Sequence, residues 1–225
     1  MNMLKAGGLA ATLIVLAGCA GTPPKESGFL GNEYAKMHQT SAPGGGTRLS
    51  YLNPKFQTAS YEAVLLERVT YYPEPQPTEN VSRETLEQIR TYADTSLRQK
   101  LGQQVRLVDR PGPGVARIRV AITAVGSETQ PLAPYQYIPI GLVITGAKAA
   151  IEGGRPQDAK IAIETQVTDS VTSEVLYAAV RGGTGKEIAN NQEAEGGVRL
   201  DSVKTLIDTW TTGASQEIVK YVSAR

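Results

Sequence analysis

Hydrophobic positions along this chain recur with two periods, and the switches between them lay out a fold. Tyr61 to Tyr72 holds the apolar run Ala63-Val64-Leu65-Leu66 with Val69, which predicts a buried strand. Pro73, Pro75 and Pro77 end it, because proline brings no N–H to a sheet ladder. Leu86, Ile89, Ala93, Leu97 and Leu101 then fall on one helical stripe, opened by Ser82 as N-cap with Glu84 in the first turn. Gly102 is the expected stop. Val105 to Asp109 predicts a short strand, and Arg110-Pro111-Gly112-Pro113-Gly114 a turn. Ile118, Val120 and Ile122 alternate with Arg117, Arg119, Ala121 and Thr123, marking a strand with one buried face. Ile161, Ile163, Thr165 and Val167 repeat that pattern, with a turn at Asp169-Ser170 and a return strand over Val175 to Val180. Leu200, Val203, Ile207, Trp210, Ala214, Ile218 and Tyr221 form a last helical stripe facing the core. The order predicts an α+β fold: a mostly antiparallel four- to five-stranded sheet with two long helices on one face.

Outside this pattern the chain begins with a short, weakly basic stretch, Met1 to Lys5, followed by the uncharged and mostly apolar Ala6 to Ala17. That is shorter than the roughly 20 residues needed to cross about 30 Å of hydrocarbon, and suits the apolar part of a secretory signal. It ends in Leu16-Ala17-Gly18-Cys19, a bacterial lipobox, with small residues for the signal peptidase ahead of a thiol that accepts a diacylglyceryl group. The expected organisation is a signal peptide over 1–18, a lipidated N-terminus and flexible tether over 19–60, and one domain over 61–225. Palmitate-class acyl chains on Cys19 hold the protein to the bilayer, since one chain anchors marginally and two or three hold stably. Ala20 follows the cysteine where a retention signal would need Asp, so the expected address is the outer membrane of a Gram-negative bacterium, facing the periplasm. The tether is rich in Gly, Pro, Ser and Thr, and about forty such residues reach on the order of 35 Å. Within it, Leu30, Tyr34 and Met37 recur at helical spacing after Gly28-Phe29. They suit either an arm docked on the domain or a peptide for a partner. The connector from Gly126 to Asp158 is too long for a simple loop. Its apolar Tyr135, Tyr137, Ile138, Ile140, Leu142 and Ile144 are a candidate partner surface, with a packed short helix or shallow membrane insertion as the other readings.

Composition narrows the chemistry. The 225 residues carry 23 Lys and Arg against 22 Asp and Glu, and cleavage before Cys19 removes Lys5. A neutral balance offers no basic excess for nucleic acid. Cys19 is the only cysteine, so an internal disulfide and a multi-cysteine zinc site are excluded. His38 is the only histidine and is expected as a solvated side chain in the tether. Gly182-Gly183-Thr184-Gly185-Lys186 has Val180 and Glu187 where a phosphate loop needs Gly and Ser or Thr, and is expected as a turn after the last strand. The carboxylate pairs Glu62 with Glu67, and Glu164 with Asp169, lack a His or Cys partner in the domain. No catalytic residue, metal, cofactor or small-molecule ligand is expected.

Gly28-Phe29-Leu30 with Tyr34 and Met37, the run Val108 to Gly114 leading into Arg117 to Thr123, Pro139-Ile140-Gly141-Leu142, and Glu164 to Ser170 together resemble the bacterial lipoproteins grouped as domain of unknown function 3313. The likeness spans about residues 28 to 222, with one departure: Ser173, ahead of Glu174, stands where the turn would take Gly. That family has no assigned activity, so the resemblance implies an address and a fold but no catalytic residues. More coarsely, the element order is similar to the TolB N-terminal domain and to LpoB-like periplasmic modules, which bind proteins. The expected role is a non-catalytic, lipid-tethered adaptor with a periplasmic protein partner. The alternatives are a self-associating structural oligomer and, behind it, a cell-wall-active enzyme.

Overall fold

The alternating residues of the two hairpin patterns meet at the centre of one sheet. The computed structural model describes residues 26–58, 60–78, 80–128, 157–188 and 197–225. A 3-10 helix, Gly31–Lys36, precedes β1 (His38–Ser41), β2 (Thr47–Leu52), β3 (Ala63–Leu66) and β4 (Thr70–Tyr71). Then follow α1 (Arg83–Gln104), β5 (Val115–Glu128), β6 (Gln157–Asp169), β7 (Val175–Ile188) and α2 (Leu200–Ile218). The strands form a 7-stranded sheet in the order β1-β2-β7-β6-β5-β3, with β4 also pairing β5. All pairs are antiparallel except β3 and β4, which run parallel to β5. A parallel pair needs a crossover, and α1 supplies it.

Register explains the hydrophobic periods. Ile118 pairs Val167, Val120 pairs Thr165 and Ile122 pairs Ile163, which puts these side chains on one face beneath the helices. Thr123 sits in a register shift, so Val125 opposite Ile161 returns to that same face. Ser82 caps α1, its Oγ accepting from Thr85 N–H at 3.0 Å. Leu86, Ile89, Leu97 and Leu101 of α1 join Val203, Ile207, Trp210 and Ile218 of α2 in the same core. A polar seam aligns the two helices. Tyr92 Oη donates to Asp208 at 2.7 Å, and Ser96 and Thr211 share a 3.0 Å hydroxyl contact.

Several expectations need correction. Seven strands replace four to five, because residues 38–52, expected as tether, form β1 and β2 on the flank of β7. Tyr61 to Tyr72 divides into two short strands, β3 and β4. Val105 to Asp109 makes only single bridges, Leu107 to Val64 and Val105 to Ala224. Gly102 does not stop α1, which runs on to Gln104. The glycine-rich 182–186 is not a turn but the second half of β7. There a Cβ on Gly183 would stand 2.6 Å from Trp210 and one on Gly185 would strike the Ser202 carbonyl, so the missing side chains let α2 lie against the strand. Ser173 has φ 62°, the left-handed conformation for which glycine is the expected residue.

Candidate functional site

Small residues between sheet and helices leave a recess. Its floor is the helix-facing side of the sheet, from Ser50 on β2 through Ala179 on β7 and Thr165 and Ile163 on β6 to Val120 on β5. Leu97 of α1 and Trp210, Ala214 and Ile218 of α2 cover it. The volume is about 330 Å³, the size of a small ligand pocket. Sealed and empty, a void of that size would cost about 8 kcal/mol at roughly 24 cal/mol per Å³, comparable to a whole domain's stability. The recess is instead open on one side. His38, Leu52 and Ala214 line it yet are solvent-exposed, which marks the mouth beside the β1–β2 hairpin.

The charged groups gather at that mouth. Arg48 donates two parallel hydrogen bonds to Glu217, at 2.7 and 2.8 Å, and lies over the Tyr177 ring at 5.4 Å. Burial works against the Arg48 charge, but the Glu217 carboxylate outweighs it and holds the guanidinium above its usual pKa. Arg181 lies 5.1 Å over the Trp210 ring and donates to the main-chain oxygens of Pro43 (2.9 Å) and Gly45 (2.7 Å) in the β1–β2 turn. Among the described residues it has no carboxylate partner. Burial, and then the neighbouring Arg48 charge, lower its pKa to about 10. Tyr177 shifts upward, chiefly through burial.

The other face of the sheet carries neither α1 nor α2 but the N-terminal arm with its 3-10 helix. Phe29, Leu30, Tyr34 and Met37 pack there on Ala121, Ala124, Ala162, Ala178 and Val180, whose small side chains admit the arm. Glu164 lies beneath it with no exposed surface, and Tyr34 Oη donates to its Oε2 at 2.6 Å. Among the described residues Oε1 has no hydrogen-bond partner. Burial raises the Glu164 pKa, against the pull of the Tyr34 hydrogen bond, and raises Tyr34 to about 12. Glu164 and Asp169, paired in sequence, do not form a site. Asp169 instead binds the turn through Val171 and Thr172 N–H groups and accepts from Tyr61.

Residues 25–214 match the family described as "Protein of unknown function (DUF3313)". The chain belongs to the DUF3313 family. A curated relative, "Uncharacterized lipoprotein YdcL" of Escherichia coli strain K12, is 32% identical over 206 residues, covering 90% of each chain. Among solved structures, a PelC dodecamer from Paraburkholderia phytofirmans aligns with a TM-score of 0.33 at 10% identity, over 84% of this chain and 98% of that one. A putative neuraminyllactose-binding hemagglutinin homolog from Helicobacter pylori gives 0.36 at 10% identity, over 74% and 85%. Likenesses this loose carry no weight for function.

In this DUF3313 member, Leu16, Ala17, Gly18 and Cys19, and the connector residues Tyr135, Tyr137, Ile138, Ile140, Leu142 and Ile144, lie outside the described residues. His38 is exposed as expected, but on β1 at the mouth of the recess rather than in a tether. Among the described residues no group of three or more His, Cys, Asp or Glu could hold a metal, and no helix is long and apolar enough to cross a membrane. Arg48, Arg181 and Glu217 are not legible as a group in the sequence. Their separation along the chain hides the pairing of β2 with β7 and the reach of Arg48 from β2 to Glu217 on α2. The one available signal is Ala214, a small residue on an otherwise bulky stripe.

Proposed function

We propose that this chain is a lipid-anchored, non-catalytic binding module of the outer membrane, facing the periplasm, and that the recess is where it binds. The observation that carries this reading is the open apolar recess with fixed charges at its mouth. Apolar pockets with a few placed polar groups are the usual form of a ligand site. The charged groups there are engaged in recognition-type geometry, an Arg–Glu fork and an Arg–Trp stack, and none pairs a nucleophile with a base. The lipobox ending at Cys19 and the lipoprotein relative support the anchor. With the arm docked from Ser27 onward, only residues 19–25 separate the lipid from Glu26, which at full extension span about 25 Å. The module works close to its bilayer, on a shorter leash than the forty-residue tether would give.

The test uses the only tryptophan, Trp210, as a reporter inside the recess. The full chain in phosphatidylcholine vesicles is titrated with phenylnaphthylamine, a neutral apolar fluorophore, and energy transfer from Trp210 is recorded. Saturable transfer is expected for the wild type, with loss in Ala214→Phe, which fills the mouth from an exposed position. Transfer that never saturates, or that is unchanged in the variant, would sink the proposal.

A further inference from the structure

The recess is graded in polarity across the sheet, and the gradient specifies more than an apolar ligand. At the β1–β2 edge most of its lining is polar or charged, with His38, Thr40, Arg48, Ser50 and Glu217 beside the apolar Pro43 and Leu52. Toward β5 and α1 it is aliphatic, with Val120, Ile122, Ile163, Leu97 and Leu101. Sheet order places β1 and β5 on opposite sides of β7 and β6, so the two ends are separated by two strands. Arg48 and Glu217 neutralise each other through their two hydrogen bonds, which leaves Arg181 as the uncompensated charge. It is half-buried, has no carboxylate partner among the described residues, and is held in place by two carbonyls and the Trp210 ring. A guanidinium keeps five donors, and two carbonyl contacts leave N–H groups to spare.

Resting on the binding reading above, we infer that the recess takes an anionic amphiphile, its hydrocarbon chain lying over β6 and β5 and its head group meeting Arg181. An unbranched chain suits a floor that is aliphatic toward β5 apart from the Thr165 hydroxyl on β6. A carboxylate or phosphate suits a fixed, partly desolvated guanidinium, where a neutral head would leave that charge unpaired. Burial already makes the Arg181 charge costly, and an arriving anion relieves it. The source is either a free fatty acid or an acidic phospholipid, which share this chemistry.

Trp210 lies at the head-group end of the recess, so a bromine carried in reach of it quenches its emission on contact. The full, lipidated chain in phosphatidylcholine vesicles is titrated separately with dibromostearic acid, a brominated phosphatidic acid, and dibromostearate methyl ester. Expected is saturable quenching by one or both anionic probes, at least tenfold tighter than by the ester. Quenching by the fatty acid alone, or by the phosphatidic acid alone, supports the inference and names the source. Arg181→Gln, which keeps an amide for the two carbonyls, should bring acid and ester to equal affinity. Equal quenching by acid and ester in the wild type overturns the anionic assignment while leaving the recess a binding site. No saturable quenching by any probe, with Ala214→Phe indistinguishable from wild type, overturns both readings.

Discussion

Replacing Tyr34 by Phe removes one oxygen from the contact that ties the arm to the sheet. Tyr34 Oη donates to the fully buried Glu164 at 2.6 Å, and among the described residues the other carboxyl oxygen has no partner to compensate. A hydrogen bond to a charged acceptor contributes about 1.5–3 kcal/mol, so Tyr34→Phe should cost roughly 2 kcal/mol at neutral pH. In a chain of this size that lowers Tm by about 4–8 °C. The cost should depend on pH, and its sign follows from burial. Glu164 titrates above the usual carboxylate value when folded, so its contribution is full below the unfolded value and is lost as pH rises through the folded one. The Tyr34 hydrogen bond opposes that rise, so deleting it pushes the folded pKa higher still and deepens the loss at neutral pH. The expected penalty is about 1 kcal/mol at pH 4, where the acid is neutral, growing to about 2 at pH 8. Glu164→Gln should abolish that growth. Urea unfolding followed by Trp210 emission at both pH values measures it. A loss below about 0.5 kcal/mol, or one equal at both pH values, refutes the reasoning.

Arg48→Met should cost about 2–3 kcal/mol by stranding Glu217, whereas Arg48→Met with Glu217→Met should recover most of that loss; a double-mutant cycle by chemical denaturation decides, and strict additivity would count against the pair. Ser173→Gly should raise stability by roughly 0.5–1 kcal/mol, since φ 62° strains any residue with a Cβ; a thermal melt unchanged or lowered would contradict this. Gly183→Val should cost about 3 kcal/mol by driving a side chain into Trp210 and Leu206, read as a drop in urea midpoint with a shifted Trp210 emission.

The elements legible in the sequence are those whose stability is argued within a few turns or one hairpin. The Ser82 cap, the Leu86 to Leu101 stripe and the Ile161 to Val180 hairpin all appear where periodicity puts them, because 3.6 and 2 are properties of the local backbone. The spacing of Leu30, Tyr34 and Met37 leaves a docked arm and a partner peptide both open, and packing on the face opposite α1 and α2 decides for the arm. Residues 38–52 read as tether because Gly44, Gly45 and Gly46 dominate their composition, while their strands depend on a ladder with β7 more than a hundred residues away.

The sequence alone determines the lipobox, the absence of any thiol beyond Cys19, and the periodic faces that bring sheet and helices together. The recess is decided only in three dimensions. A stripe such as Ile207-Trp210-Ala214-Ile218 states which way residues face, but not what volume stands opposite them. Ala214 on α2 and Ala179 and Thr165 on the sheet line a gap, and the β1–β2 hairpin then carries Arg48 to Glu217 and the Pro43 and Gly45 carbonyls to Arg181. Packing is a sum over side chains from separate elements, so the space they fail to fill has no signature in any one of them.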